Sequence, residues 1–261
     1  MDITLVITTY NRPRALSLVL QSIKYQTLIP FEVIIADDGS SEETKEIIKD
    51  FSNNTKIKVT HSWQTDKGFR AAMSRNKALA LVKTEYAILV DGDMILNKHF
   101  VEDHFLFSEK GKFIQGKRVL LNKTKTEELI KENDLGKMNF SLYSSNRHNG
   151  VRSIFFAKIF SKDSNSIASI KTCNMSFFME DCMKINGFNN QFIGWGREDS
   201  DFAVRLINAG VVRKDIRFAA IQYHLWHKES SRKSLETNDE LLSISIEKKL
   251  IQVDDGINKF L

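Results

Sequence analysis

The sequence has only two cysteines, Cys173 and Cys182, among its 261 residues. So few cysteines exclude a disulfide framework and fit a reducing cytoplasm. The sequence also lacks any apolar run near the roughly 20 residues that a membrane-spanning helix needs. Residues 3–7 (ITLVI) are typical of a strand and leave no room for a signal peptide. Together these absences predict a cytoplasmic protein.

Two common nucleotide-binding motifs are missing as well. No GxGxxG follows the first predicted strand, which argues against a dinucleotide oxidoreductase, and no GxxxxGK[ST] occurs, which argues against a P-loop enzyme. The net charge of +5 is compatible with nucleic acid, an anionic membrane face or simple solubility, and does not discriminate between them. With 42% hydrophobic and 27% charged residues, the chain can still build a sizeable core.

Short β-rich runs alternate with helical patterns in the first half, which predicts βαβ units around a mostly parallel sheet. The predicted strands are 3–8, 31–36, 57–62 and 86–90, and the predicted helices are 13–25, 42–51 and 69–82. In the second half we expect helices at 97–109, 124–132 and 180–185, and a further helix that follows the segment 194–201 and ends near 210. Strands are expected at 174–179, around 211 and at 218–223, and an outer helix from 230 to about 251. Residues 134–170 are rich in Asn, Ser and Lys and are expected to form long loops. The length favours one elaborated α/β domain.

Asp91 and Asp93 follow the buried strand 86–90 and lie two positions apart, so in an extended segment their carboxylates point the same way. Such close carboxylates repel unless a cation or a donor lies between them. Hard oxygen ligands suit Mg²⁺ or Mn²⁺, which typically bridge to substrate phosphates. The alternative is a solvated turn, because Asp-Gly-Asp is common after strands.

Residues 194–201 (GWGREDSD) place Trp195 beside Glu198 and Asp199 at a predicted loop-to-helix junction. A helix N-terminus favours acidic residues, but this does not explain the Gly-Trp-Gly before them. An exposed Trp face can carry a sugar ring, and a neighbouring carboxylate can act as a general base toward a sugar hydroxyl. We therefore interpret this segment as functional.

Polar side chains at the ends of the first three strands predict a nucleotide pocket. They offer hydroxyls, an aromatic face, carboxylates for a ribose or base edge, and cations for a diphosphate. For any one of the cations, a solvated helix face is the alternative. The predicted contacts are Thr8, Tyr10, Arg12, Asp37, Asp38, Lys67, Arg70 and Arg75.

His224 and His227 follow a predicted strand. A lone histidine is more often structural than a ligand. Here an imidazole could complete a site begun by the carboxylates, which would favour Mn²⁺ over Mg²⁺. The sequence alone does not place His224 near Asp93.

Taken together, residues 7–12 (ITTYNR), 35–40 (IADDGS) and 91–93 (DGD) resemble the N-terminal signature of family 2 glycosyltransferases with the GT-A fold. Residues 194–201 resemble the C-terminal motif shared by β-1,4-galactosyltransferases and polypeptide GalNAc-transferases. The same combination occurs in bacterial chondroitin polymerase domains, which the chain resembles most. The resemblance covers roughly residues 3–100 and 172–228.

The resemblance implies a GT-A fold, in which helices flank a Rossmann-like, mostly parallel central sheet, over a single domain of residues 1–261. Residues 1–110 would form the nucleotide-sugar-binding half and 111–228 the acceptor and catalytic half. Residues 229–261 would form a C-terminal helical tail.

The resemblance also implies roles for individual residues. Asp91 and Asp93 match the DxD that holds Mn²⁺ against the donor diphosphate, and His224 matches the later histidine of that metal site. Asp199 matches the general base of the inverting family, with Glu198 beside it touching donor or acceptor. The uridine contacts would be Asp37 and the turn at 8–12, and the residue lining the sugar site would be Trp195. Arg197 stands where galactosyltransferases have glycine, so the donor sugar is not carried over.

The expected activity is inverting transfer of a hexose or N-acetylhexosamine from a UDP-sugar to a glycan or lipid-linked glycan in bacterial capsule or lipopolysaccharide synthesis. Mn²⁺ or Mg²⁺ would be the cofactor, and nucleic acid is not expected as a partner. Basic tail residues could touch the inner membrane, although a solvated helix face explains them equally simply; they are Arg232, Lys233, Lys248 and Lys249.

Two other functions fit these residues less well. A sugar nucleotidyltransferase of similar fold would need a Gly-rich phosphate loop after the first strand, and residues 8–12 contain no glycine. A non-catalytic glycan-binding module would leave Asp91 and Asp93 without a role.

Overall fold

The computed structural model describes residues 1–135, 144–228 and 231–261. The strands are β1 (Ile3–Thr9), β2 (Glu32–Asp37), β3 (Lys58–Trp63), β4 (Tyr86–Asp91), β5 (Met94–Leu96), β6 (Lys112–Gln115), β7 (Val119–Leu121), β8 (Ser144–Ser145), β9 (Lys162–Ser164), β10 (Asn174–Phe178), β11 (Val212–Asp215) and β12 (Gln222–His224). The α-helices are α1 (Pro13–Lys24), α2 (Glu42–Asn53), α3 (Ala71–Leu79), α4 (Phe100–Phe107), α5 (Lys123–Glu132), α6 (Ile154–Phe160), α7 (Met179–Lys184), α8 (Glu198–Asn208) and α9 (Leu235–Glu247). Two short 3₁₀-helices cover Arg147–Gly150 and Ile257–Phe260.

The main sheet has the strand order β3-β2-β1-β4-β10-β6-β11-β9 in the described residues. Its first four strands are parallel, as the sequence predicts, and β10 then joins β4 in the antiparallel direction. Both faces are covered, with α1 and α2 packed on one side and α3 and α8 on the other. This is why every residue of β2 is buried. The predicted α/β class is confirmed.

A second sheet, with the order β5-β12-β7-β8, was not predicted. Its strands are only two or three residues long, too short for a period to show in the sequence. In the pairing of β12 with β5, His224 lies opposite Met94. The backbone N–H of Leu225 also donates to the carbonyl of Asp93 at 3.0 Å. This sheet therefore brings His224 to the residue that follows β4.

Two predictions about the second half were wrong. Residues 134–170 are not all loop, because they contain α6, β9 and a 3₁₀-helix; residues 136–143 of that stretch lie outside the described part. The strand predicted at 218–223 is confined to β12. Phe218 (φ 59°) and Ala220 (φ 51°) have positive φ, which is incompatible with a strand.

The C-terminal tail forms the expected helix, but α9 begins at Leu235, and residue 230 lies outside the described part. Ser245 of α9 donates to the buried carboxylate of Asp201 in α8 at 2.6 Å. Asp201 also pairs with the fully buried Arg205 at 2.8 Å. The tail thus packs on α8, the helix that carries the predicted catalytic carboxylates. None of the helices in the described residues is both long and apolar enough to cross a lipid bilayer.

Candidate active site

The edge at which β1, β2 and β4 end collects most of the predicted site residues. Thr8 lies opposite Asp91 and Thr9 opposite Asp37 in the parallel register. Gly92 allows a close approach here, because its N–H donates to Thr8 O at 2.7 Å and a Cβ would lie 3.0 Å from Thr9 Oγ1. The carboxyl edge of a parallel sheet is the usual place for a ligand.

Asp93, His224 and His227 form a cluster at this edge. The Oδ2 atom of Asp93 lies 3.6 Å from Nε2 of His224 and 3.4 Å from Nε2 of His227. One ligand atom from each residue lies within 4.8 Å of the other two. Three side chains from two distant parts of the sequence therefore converge on one point.

The donor set of this cluster fits a divalent cation. Asp93 Oδ1 is buried without a hydrogen-bond partner, while Oδ2 accepts from Arg12 Nη1 at 2.5 Å. Burial opposes the charge of Asp93, but the hydrogen bond and charge of His224, together with Arg12 and His227, lower its pKa. An ionised carboxylate with a free oxygen beside two imidazoles suits Mn²⁺.

The predicted metal ligands are only partly gathered in the cluster. Asp93 and His224 belong to it, and His227, which the sequence analysis did not name as a ligand, joins them. Asp91 lies beside the cluster, with its Oδ1 atom 3.4 Å from Arg75 Nη2. Its role as a ligand stays a prediction.

Arg75 of α3 connects the strand ends to α8. Its buried guanidinium donates to Thr8 Oγ1 at 3.1 Å, to Glu198 Oε1 at 3.2 Å and to Asp199 Oδ1 at 3.3 Å, besides the contact with Asp91. Burial opposes its charge, but the three carboxylates raise its pKa. Burial, together with the charge of Asp199, raises the pKa of Glu198 to about 7. In these contacts Arg75 is the counter-charge of the carboxylates; its predicted contact with a diphosphate is untested.

Removing the Arg75 guanidinium should destabilise the fold. Arg75→Met would leave Asp91, Glu198 and Asp199 close together without a cation, and breaking a buried ion pair in this way costs roughly 3–5 kcal/mol. Urea unfolding measures the loss. Arg14→Met, the same change at an exposed arginine of α1, should stay within about 0.5 kcal/mol of the wild type. Equal stability of the two variants would contradict this role for Arg75.

Asp199 is held by a residue that the sequence analysis missed. Thr172 donates to it twice, from its backbone N–H to Oδ2 at 3.0 Å and from its hydroxyl to Oδ1 at 2.7 Å. No sequence signal marks Thr172, because the two residues lie 27 positions apart. The Asp199 side chain is 24% exposed against 10% for Glu198. The Asp199 carboxylate is therefore the more accessible of the two to a bound molecule.

The Trp195 loop has a backbone that favours glycine. Gly194 (φ 79°) and Gly196 (φ 108°) both have positive φ, and a Cβ on Gly194 would lie 2.2 Å from Ser234 Oγ just before α9. The Trp195 side chain is 41% exposed. The guanidinium of Arg232 lies 5.5 Å from the ring centroid of Trp195. The loop thus presents an aromatic face beside α8, as expected for a sugar platform.

Arg197, the departure from the galactosyltransferase motif, is the residue before α8. It has a positive φ of 76°, a conformation that glycine adopts without strain. Its guanidinium pairs with Asp239 of α9. The extra side chain therefore contacts the tail.

Asp37 and Asp38, the predicted nucleotide contacts at the end of β2, are buried and bonded within the chain. Asp37 accepts from Ser40 N and lies 2.8 Å from His61 Nε2. Burial opposes its charge, but these hydrogen bonds lower its pKa. The loops after β2 and β3 are joined at Asp38, which accepts from Gln64 Nε2 and Arg70 N, each at 2.6 Å.

The remaining predicted contacts lie around these two loops. Tyr10 is 44% exposed and donates to Asp66 at 2.8 Å. Lys67 is exposed on the loop after β3. Arg70 is half-buried and donates to the carbonyl of Thr65. An exposed aromatic face and two cations are thus available at the edge where a nucleotide is expected.

The chain matches the model of one glycosyltransferase family over more than half its length. Residues 4–172 match "Glycosyl transferase family 2", and residues 156–228 match "N-terminal domain of galactosyltransferase". The chain belongs to glycosyl transferase family 2. This confirms the family resemblance and the enzyme class, a glycosyltransferase.

Two curated relatives are similar over most of this family 2 chain. It is 29% identical to a hyaluronan synthase of Pasteurella multocida, over 92% of this chain and 26% of the relative. It is 26% identical to a chondroitin synthase of Escherichia coli, over 90% of this chain and 36% of the relative. The chain therefore spans about a quarter to a third of the length of these synthases.

Solved structures of other transferases share the fold. Residues 1–349 of S. aureus TarS, in complex with UDP, superpose with a TM-score of 0.62 at 18% identity, over 94% of this chain and 65% of that one. The mannosyltransferase PcManGT from Pyrobaculum calidifontis, in complex with GDP-Man and Mn²⁺, gives 0.61 at 14% identity, over 96% and 64%. The expected GT-A fold is confirmed.

Proposed function

We propose that this chain transfers a hexose or N-acetylhexosamine from a UDP-sugar to a glycan hydroxyl with inversion at the anomeric carbon. The observation that carries the proposal is the arrangement at the sheet edge. The Asp93, His224 and His227 cluster lies beside Asp91, which Arg75 links to Glu198 and Asp199.

The donor would lie along this edge. Asp93, His224 and His227 would hold a divalent cation, with Asp91 beside it, and the cation would offset charge on the departing diphosphate. Tyr10, Lys67 and Arg70 surround the side on which the uridine and phosphates are expected. A UDP donor is also consistent with TarS, whose structure holds UDP.

The acceptor would meet α8. Asp199 would take the proton from the acceptor hydroxyl as that oxygen attacks the anomeric carbon from the face opposite UDP. Thr172 and Arg75 would hold the Asp199 carboxylate in place. Glu198, whose raised pKa favours its protonated form, could donate to a sugar oxygen, and the Trp195 face would pack on the sugar ring.

The acceptor that we propose is a growing bacterial surface polysaccharide, free or lipid-linked. The chain is similar to domains of a hyaluronan synthase and a chondroitin synthase. It spans only part of these relatives, so their substrates do not name the sugar added here. Among the described residues we assign one pair of carboxylates, Glu198 and Asp199, to catalysis, which fits a single linkage.

A panel of UDP-sugars tests the proposal. We expect one of UDP-glucose, UDP-galactose and the two N-acetyl forms to be hydrolysed slowly with Mn²⁺, and EDTA to abolish the turnover, because the clustered carboxylate and imidazoles need the cation to bind diphosphate. Release of UDP is the readout, with GDP-mannose as a comparison nucleotide. If no UDP-sugar is bound or cleaved, a uridine donor is excluded.

A further inference from the structure

The face of α6 that points away from the core is apolar. Phe155, Phe156, Ile159 and Phe160, together called the α6 patch, are 70%, 45%, 54% and 45% exposed. Their spacing places them along one side of the helix. Ala157, on the opposite side, is fully buried against the core. The helix thus packs on the domain through Ala157 and exposes to solvent an apolar face of the kind that is normally buried.

The α6 patch is held in place by ring contacts and by a helix cap. Phe218 lies 5.7 Å from Phe156 and 5.8 Å from Phe160 between ring centroids. Ser153 caps α6, since its hydroxyl accepts from the N–H of Phe156, and its own N–H donates to the carbonyl of Phe218 at 2.9 Å. A contiguous exposed apolar patch of this kind marks an interaction site.

Three cations lie next to this patch along the chain, one within α6, one two residues after it and one just before Phe218. Lys158, Lys162 and Arg217 are exposed. Within the part of the chain that the structure describes, no ion pair joins their side chains to a carboxylate. These three residues, called the basic rim, complement an anionic surface. A second copy of the chain docked on the same patch about a two-fold axis would bring the two rims together, which is unfavourable.

We propose that the α6 patch and the basic rim dock this chain on an anionic lipid bilayer. The aromatic and aliphatic side chains would enter the interface, and the cations would contact headgroup phosphates. With seven residues, α6 is about 10 Å long and would lie in the interface.

The docked surface is continuous with the site. Phe218 contacts the α6 patch and leads through residues 219–221 into β12, which carries His224. Docking would therefore hold the site near an acceptor carried on the bilayer. This benefit rests on the proposed function, whereas the binding itself needs no donor.

Flotation with vesicles tests the docking. We expect the wild type to float with vesicles of phosphatidylcholine and phosphatidylglycerol, and far less with phosphatidylcholine alone. Phe155→Ser/Ile159→Ser should weaken binding at least about tenfold, because both side chains leave the interface. The matched control, Ile29→Ser/Phe31→Ser, removes the same two residue types at exposed positions just before β2. It should bind as the wild type does.

Charge-reversal variants test whether the basic rim contributes to vesicle binding. Lys158→Glu/Lys162→Glu should weaken binding to the anionic vesicles, with the difference shrinking as salt is raised. Lys248→Glu/Lys249→Glu, in the basic tail, should not. Loss of binding in the tail variant alone, no flotation of the wild type, or a dimer that Phe155→Ser/Ile159→Ser converts to monomers would each overturn the proposal.

UDP-sugar turnover without vesicles separates the two proposals. It should be equal in the wild type and in Phe155→Ser/Ile159→Ser, since neither side chain belongs to the site. Turnover without flotation refutes the docking alone, and flotation without turnover refutes the proposed transfer alone.

Discussion

Asp199→Asn should lower UDP-sugar turnover by about 10²–10⁴-fold, the contribution of a positioned general base. The amide cannot take the acceptor proton, while its size preserves the packing against Thr172 and Arg75. Affinity for UDP and Mn²⁺ should be nearly unchanged, because Asp199 is not in the Asp93 cluster. Turnover kinetics and titration calorimetry measure the two quantities.

The control for this substitution is Asp254→Asn, at an exposed carboxylate of the C-terminal segment. It should leave both turnover and affinity as in the wild type. If Asp199→Asn kept near-normal turnover, or if it lost UDP and Mn²⁺ affinity as much as turnover, Asp199 would not be the base.

Asp93→Ala, unlike Asp199→Asn, should lower both turnover and the Mn²⁺-dependent binding of UDP. It removes the one carboxylate of the cluster, so the His224 and His227 imidazoles would be left with Arg12 as an uncompensated cation beside them. The metal's contribution to leaving-group stabilisation is several kcal/mol, so turnover should fall on the order of 10³-fold. Mn²⁺-dependent binding of UDP should weaken with it.

A calorimetric titration of UDP with and without Mn²⁺ distinguishes this loss from unfolding. In Asp93→Ala the two titrations should become alike, whereas in the wild type Mn²⁺ should strengthen binding. Circular dichroism gives the control for folding. A variant that still binds UDP more tightly with Mn²⁺ would show that the cation is held elsewhere.

The first half of the fold could be predicted because its strands are long and buried on both faces. Residues 86–90 form a continuous apolar run, and the structure places them in β4 at the centre of the sheet. Pro13 marks the first turn of α1. Such local patterns predict the structure correctly here because the tertiary packing favours the same strand and the same helix.

The second half of the fold was harder to predict, because it depends on contacts between residues that are far apart in the sequence. β5 and β12 are three residues each, and only their pairing puts His224 beside Asp93. The helix α6 was missed because its apolar residues face solvent, so its pattern is not that of a helix packed by its apolar face.

Within the candidate site, the functional residues were easier to predict from the sequence than the residues that they contact. Asp199 and Glu198 were named from the motif, but their shared counter-charge, Arg75, was assigned to a diphosphate. His227 and Thr172 were missed as site residues, because one was noted only as a neighbour of His224 and the other joins the site from across the fold. Long-range hydrogen bonds decide such roles.

The most direct test of inverting transfer is the anomeric configuration of the product. Methanol can serve as the acceptor with the UDP-sugar that the hydrolysis panel selects, because a methyl glycoside does not mutarotate. Proton NMR of the anomeric signal then reports the stereochemistry. With Asp199 as the base on the face opposite UDP, an α-linked donor should give the methyl β-glycoside. A methyl α-glycoside, formed with Mn²⁺ and absent with EDTA, would contradict the mechanism.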